Sequence, residues 1–245
     1  MKRLLLLGIP ALLVACVDGT TPTQPASQLA SYSGQKSFAV KSDILDKNWR
    51  VFNINTDEPK LWDINKAEAL SSTGGVQFPF PTSTTTGDWD GTGWFTVYLK
   101  TNYNRDLTGK TITAIVDVVA PVGTLFWTRT SACPNTGIDA YVRLEFQSAT
   151  GNYDASDYWW STNSLNLSTL AASGTAALLS ASTDGANWTN LNGKSGITDS
   201  AGFAAALKNV KEIGVAFGSS CSYASGVNVS GGTASFQLQS YTVTP

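Results

Sequence analysis

The sequence predicts an all-β fold: an antiparallel β-sandwich with one short helix. Three observations carry that expectation. Short runs rich in aromatic and β-branched residues recur from about Phe38 to the end of the chain. Clusters of Gly, Ser, Thr, Asn and Pro separate them. The longest runs alternate apolar and polar residues with period two, as a strand with one face in a core does.

The elements follow in order. Residues 49–54 (Trp-Arg-Val-Phe-Asn-Ile) form a first strand, and residues 71–93, full of Ser, Thr, Gly and Pro, a long loop. Residues 94–100 are a second strand and residues 111–119 a third, after the turn at 107–110. In 138–147 the alternation is clean. Ile138, Ala140, Val142, Leu144 and Phe146 point one way, and Asp139, Tyr141, Arg143, Glu145 and Gln147 the other. Residues 158–161, 176–182, 212–217 and 233–243 complete the strands. The helix starts with Ser200 as its cap and aligns Phe203, Leu207 and Val210 on one face. Trp49, Trp94 and Trp188 are expected in the core. Trp159 and Trp160 face opposite ways, so one of them is expected to reach a surface.

Charge and composition exclude several functions. Lys plus Arg number 16 and Asp plus Glu 18, with no basic cluster, so nucleic acid is not an expected partner. Histidine is absent, which removes Ser-His and Cys-His nucleophile pairs and His-ligated zinc. No Gly-x-Ser-x-Gly occurs. Neither a cofactor nor a metal is expected. Asp88 and Asp90 are weak calcium candidates, and Asp154 and Asp157 resemble them, but turns with Asx hydrogen bonds account for both pairs.

The amino end has its own character. Lys2 and Arg3 precede an apolar run over 4–14, too short for a spanning helix of roughly 20 residues. Leu13-Val14-Ala15-Cys16 follows and resembles the lipobox of bacterial lipoproteins. That resemblance implies a signal peptide over 1–15, lipidation of Cys16, and a protein held to a membrane outside the cytoplasm. Val17, where an aspartate would resemble an inner-membrane retention signal, favours the outer membrane or cell surface. Residues 16–37 then form the lipidated cysteine and a flexible Thr/Ser/Pro tether. Residues 38–245 form the folded domain. With Cys16 lipidated, Cys133 and Cys221 remain as an even pair in an oxidising compartment, and one disulfide is the simplest expectation. It would close a loop of about 88 residues, worth ~4 kcal/mol in the chain-entropy picture.

The last third carries a second resemblance. Asp184-Gly185-Ala186-Asn187-Trp188-Thr189 precedes the helix around Phe203 and Leu207. Glu212-Ile213-Gly214-Val215-Ala216-Phe217-Gly218 follows, and then Gly231-Gly232-Thr233-Ala234-Ser235-Phe236-Gln237-Leu238. This order resembles exported jelly-roll domains similar to the galactose-binding-like sandwiches that include many carbohydrate-binding modules. Those modules often carry an aspartate near a structural calcium in the last strand. Gln239 is neutral, so no calcium ligand is carried over.

Together these readings place a candidate ligand face on the strand at 138–147. Sugar recognition needs flat aromatic faces and planar polar groups, and Asp139, Tyr141, Arg143 and Glu145 supply both kinds. Tyr98 (with Trp94 and Lys100) and the Trp159–Trp160 pair extend the row. The same alternation is also what a plain solvated sheet face with cross-strand ion pairs shows. Three functional classes follow. The leading one is a non-catalytic, glycan-binding envelope lipoprotein. The second is a structural envelope component packing against other surface proteins. The third is a surface glycan hydrolase, for which Glu145 with Asp139 or Asp117 would be the carboxyl pair.

Overall fold

The computed structural model describes residues 49–55, 61–66, 68–69, 75–82, 93–128, 140–148 and 154–245. Fourteen strands in these residues form two antiparallel sheets. The nine-stranded sheet contains β1 (Arg50–Asn55), β2 (Leu61–Lys66), β5 (Trp94–Arg105), β7 (Leu125–Thr128), β8 (Tyr141–Gln147), β9 (Tyr158–Asn166), β11 (Trp188–Asn190), β12 (Val210–Gly218) and β13 (Val227–Ser230). Its main order is β11-β9-β8-β12-β5-β1-β2, with β13 bridging β5 and β7. The five-stranded sheet runs β10 (Ala177–Ser182), β6 (Thr111–Val119), β14 (Ser235–Thr244), β4 (Val76–Pro79), β3 (Glu68–Ala69). The chain passes repeatedly from one sheet to the other, as in a jelly roll, and the all-β sandwich expected from the sequence is what it forms.

The core lies between the sheets. On β6, Ile112, Ala114, Val116 and Val118 are buried and alternate with half-exposed Thr111, Thr113, Ile115 and Asp117. One end is filled by Phe78, Phe80, Phe126, Phe217 and Phe236, most of whose ring pairs meet edge to face. At the other end Phe146, Trp159 and Trp188 pack together. Phe203, from helix α2 (Ser200–Lys208), closes them at 4.7 Å from Trp159.

Several local expectations change. The helix is capped by Asp199, whose carboxylate accepts from the Gly202 N–H, and not by Ser200. A carboxylate there also faces the positive end of the helix dipole. Val210 is the first residue of β12 and not part of the helix. A second helix, α1 (Leu167–Ser173), is present. Asn166 caps its start and Gly174, at φ 60°, ends it in the left-handed region. Strand β4 lies inside the stretch expected to be loop, and β2, β3, β7, β11 and β13 are not among the expected strands. Trp49 and Trp188 are buried, but Trp94 is 39% exposed at the rim, where β5 begins. Cys16, Asp88, Asp90, Cys133 and Asp139 lie outside the described residues. Asp154 accepts from the Ser156 N–H and Asp157 from the Ser148 hydroxyl, so both behave as turn residues. No metal-binding cluster occurs among the described residues, and no helix there is long and apolar enough to cross a membrane.

Gly214 is needed where β12 meets β5. A Cβ at that position would lie 2.1 Å from the Leu99 carbonyl oxygen, a backbone atom that cannot swing aside. The Gly214 carbonyl also accepts from the Tyr241 hydroxyl of β14 at 3.2 Å, which ties the two sheets together. Gly214→Ala is therefore expected to cost about 3 kcal/mol, read as a lower urea midpoint with the β-type circular dichroism spectrum retained.

Candidate functional site

The nine-stranded sheet has a second face, turned away from the core, and the polar row expected from the sequence lies on it. Register places residues across five strands. Gly214 of β12 sits between Glu145 of β8 and Lys100 of β5, with Trp160 of β9 beyond Glu145 and Arg50 of β1 beyond Lys100. On one side the neighbouring row holds Tyr158, Gln147, Glu212 and Asn102. On the other it holds Arg143, Ala216, Tyr98 and Phe52.

This face is not a solvated platform, and that corrects the sequence-based expectation. Tyr98, Arg143, Glu145 and Trp160 are all buried, at 5%, 1%, 0% and 3% exposure, and only Tyr141 is half-buried. Trp159 and Trp160 do face opposite ways, but neither reaches the surface. Trp159 joins the core between the sheets, and Trp160 joins a separate cluster with Val97, Tyr98, Tyr158 and Ala216. The physical reason is aromatic cover on both sides of the sheet. Phe52, Ile54, Tyr223 and Ala224 pack onto the second cluster. Tyr223 belongs to the turn at 219–226, which Arg143 holds in place. Its guanidinium donates to the Ser219 carbonyl at 3.1 Å and lies 4.2 Å over the Tyr223 ring.

Buried charge on this face is strongly paired around Glu212. Arg50 donates to one Glu212 oxygen. Gln147 Nε2 donates to the other at 2.5 Å, and Lys100 Nζ stands 3.3 Å from it. Lys100 also donates to Gln147 Oε1 at 2.6 Å and lies 4.1 Å over the Tyr98 ring. Such charge-assisted bonds offset the cost of burying a carboxylate.

Glu145 is the opposite case. It is one row from Glu212 on the adjacent strand, yet neither of its oxygens has a hydrogen-bond partner among the described residues. The indole N–H of Trp160, its cross-strand neighbour, is also without a partner there. Burial pushes the Glu145 carboxyl up to about 8; Lys100 pulls it down in part, and Glu212 pushes it up further. Burial therefore favours the neutral form of Glu145.

Of the carboxyls proposed as its companion, Asp117 is on β6 among the residues facing away from the core. That is the opposite side of the sandwich from Glu145, so the two are not brought together. Sequence reasoning missed Glu212, Arg50, Phe52 and Tyr223 as members of this face. The one local signal for Glu212 was the run of small residues at 214, 216 and 218, alternating with Ile213, Val215 and Phe217. Small side chains on one side of a strand mark a face that something else packs closely.

Glu145 makes stability depend on pH. Its folded-state value lies above the ordinary 4.5, so the folded chain holds the proton more tightly than the unfolded one. The contribution is complete below about 4.5 and is lost as the pH rises through about 8. The loss is on the order of 4 kcal/mol. Glu145→Gln keeps the shape and removes the titration. Urea unfolding between pH 4 and 9 is expected to show variant and parent close together at pH 4, and the variant increasingly the more stable above pH 6.

The chain matches no family model, no curated protein and no solved structure.

Proposed function

We propose that this chain is a lipid-anchored protein of the cell envelope whose sandwich binds glycan on the second face of the nine-stranded sheet, around Glu145 and Trp160. One observation carries the reading. A buried acid and a buried indole N–H stand side by side with unused hydrogen-bonding capacity, inside a ring of aromatic side chains. Buried polar groups left unsatisfied are costly, on the order of 1–3 kcal/mol each. A sugar hydroxyl satisfies both, accepting from Trp160 and donating to Glu145. The rings of Tyr98, Tyr158 and Tyr223 surround the pair, and aromatic rings are what the C–H face of a sugar packs on.

The anchor and tether belong to the same proposal. Its support is the lipobox-like run ending at Cys16 and the Thr/Ser/Pro composition of 16–37. The partner is then a membrane, through lipid, at the outer membrane or cell surface. For a Cys133–Cys221 bridge, the support is that Cys221 sits in the turn at 219–226 as a bonded cysteine and not a free thiol.

Two measurements test this. Isothermal titration of the full-length protein in detergent against a panel of polysaccharides is expected to find one that binds. Trp160→Phe, which removes the indole N–H, should weaken that binding about fivefold to tenfold. Unchanged affinity in the variant, or no binding across the panel, overturns the reading. Labelled palmitate should be incorporated in cells and be absent from Cys16→Ser, which should also leave the membrane fraction.

A further inference from the structure

We propose that the end of the sandwich carrying the β6–β7 connection is a second point of membrane contact, which sets its apolar turn at 119–125 into the headgroup region of a lipid bilayer. The inference rests on the reading of this chain as a membrane-anchored protein and adds a contact that the anchor does not supply.

The turn projects its apolar side chains by construction. Six large hydrophobic side chains are exposed among the described residues, and three of them stand on this one connection. Val119 is 56% exposed, Val122 106% and Leu125 44%. Val119 ends β6 on the side away from the core, after buried Val118. Leu125 opens β7 on the side away from the core, before buried Phe126. Between them the Thr124 N–H donates to the Pro121 carbonyl at 3.2 Å, and Gly123 takes φ 90°. This closes a four-residue turn with glycine at the left-handed third position of a type II turn, and Val122 occupies its outer corner. The turn at 231–232 braces it from the side. A Cβ at Gly232 would lie 2.7 Å from the Thr124 hydroxyl, and one at Gly231 3.3 Å from the Gly123 carbonyl oxygen.

The surroundings point to lipid as the occupant. Val227 pairs with Thr96 and Ser230 with Leu125, so β5 begins at this same end, with Trp94 39% exposed. The described segments that meet here are 76–82, 93–97, 118–128 and 227–239. They hold no Asp, Glu, Lys or Arg. An uncharged tip of aliphatic side chains with a tryptophan at the rim matches the bilayer interface, where apolar groups bury and indoles settle at headgroup level. A second copy of the chain fits less well. A stable dimer buries ~800 Å² on each partner. Even a fully bared tryptophan offers no more than ~250 Å², and three of these four side chains are partly covered. The anchor leaves this end free to reach a membrane. Trp49 is 33 residues beyond Cys16, which allows up to roughly 110 Å of extended chain. The longest strand, β5, has 12 residues and is only ~40 Å long.

The test uses the full-length chain carrying Cys16→Ser, so that no lipid is attached. It is mixed with extruded vesicles of phosphatidylcholine, with and without phosphatidylglycerol, and hydrogen exchange is followed residue by residue. The Val122 and Gly123 amides are expected to exchange about tenfold more slowly on either kind of vesicle. Amides around Leu191 and Ile197, at the opposite end, should keep their free rates. Val122→Asp should abolish the slowing and leave the urea midpoint unchanged, because that side chain is fully exposed. Slowing that requires phosphatidylglycerol, or that persists in Val122→Asp, overturns the apolar contact. Protection already present in the free protein, or growing with protein concentration alone, assigns the tip to the chain itself or to a second copy and also overturns it. Equal rates with and without vesicles do the same. Palmitate incorporation at Cys16 decides the anchor separately. Its failure beside slowed exchange removes the anchor and leaves the tip contact standing; its success beside unchanged rates does the reverse.

Discussion

The Glu212 carboxylate holds four strands of the nine-stranded sheet to one another through side chains alone. Arg50 reaches it from β1, Lys100 from β5 and Gln147 from β8, while Glu212 itself stands on β12. All but Arg50 are buried. In water such pairs contribute little, because solvent screens them. On a face closed by aromatic rings they are obligatory, since any one of them left alone would be an uncompensated charge or an unfilled hydrogen bond. The positions of Phe52, Tyr98 and Tyr223 follow from the same demand. Their rings lie against Lys100 and Arg143 and exclude the water that would otherwise solvate those cations.

That closure explains how the two carboxyls come to differ. Both occupy the same face, and neither differs from the other in local sequence in any telling way. Glu212 meets three donors because it stands between the strands that carry them. Glu145 stands one row away, across from a glycine and beside a tryptophan, and meets none among the described residues. The contrast is a property of register and not of residue type. A shift of β8 by one residue against β12 would turn Glu145 into the core and destroy it.

This is also where legibility in the sequence ends. The alternation on β8 identified that strand and sorted its residues correctly by side, because period two is fixed by the pleat. It also placed Tyr141, Arg143, Glu145 and Gln147 together. It was silent on whether that side met solvent, which depends on Tyr223 and Ala224 arriving from a turn some 80 residues later in the chain. Helix α1 escaped notice because seven residues give too few turns for a helical period to emerge, although Asn166 and Gly174 mark its two ends. The cap of α2 fell one residue early because Asp199 and Ser200 are both capping residues, and only the backbone angle at each decides between them. Four residues of β4 with Pro79 at their end were hidden by the Ser, Thr and Pro around them.

The hydrogen bond from Tyr241 to the Gly214 carbonyl has a mechanical side. It spans the sandwich, and its acceptor is the one backbone position that separates Glu145 from Lys100. The two layers are thus pinned to each other directly beneath the acid. A force that spread β8 from β5 at that point would pull on a phenol rooted in the opposite sheet, so the far layer acts as a stiffener for this face. The interior of this sandwich works as a strut as well as a filling.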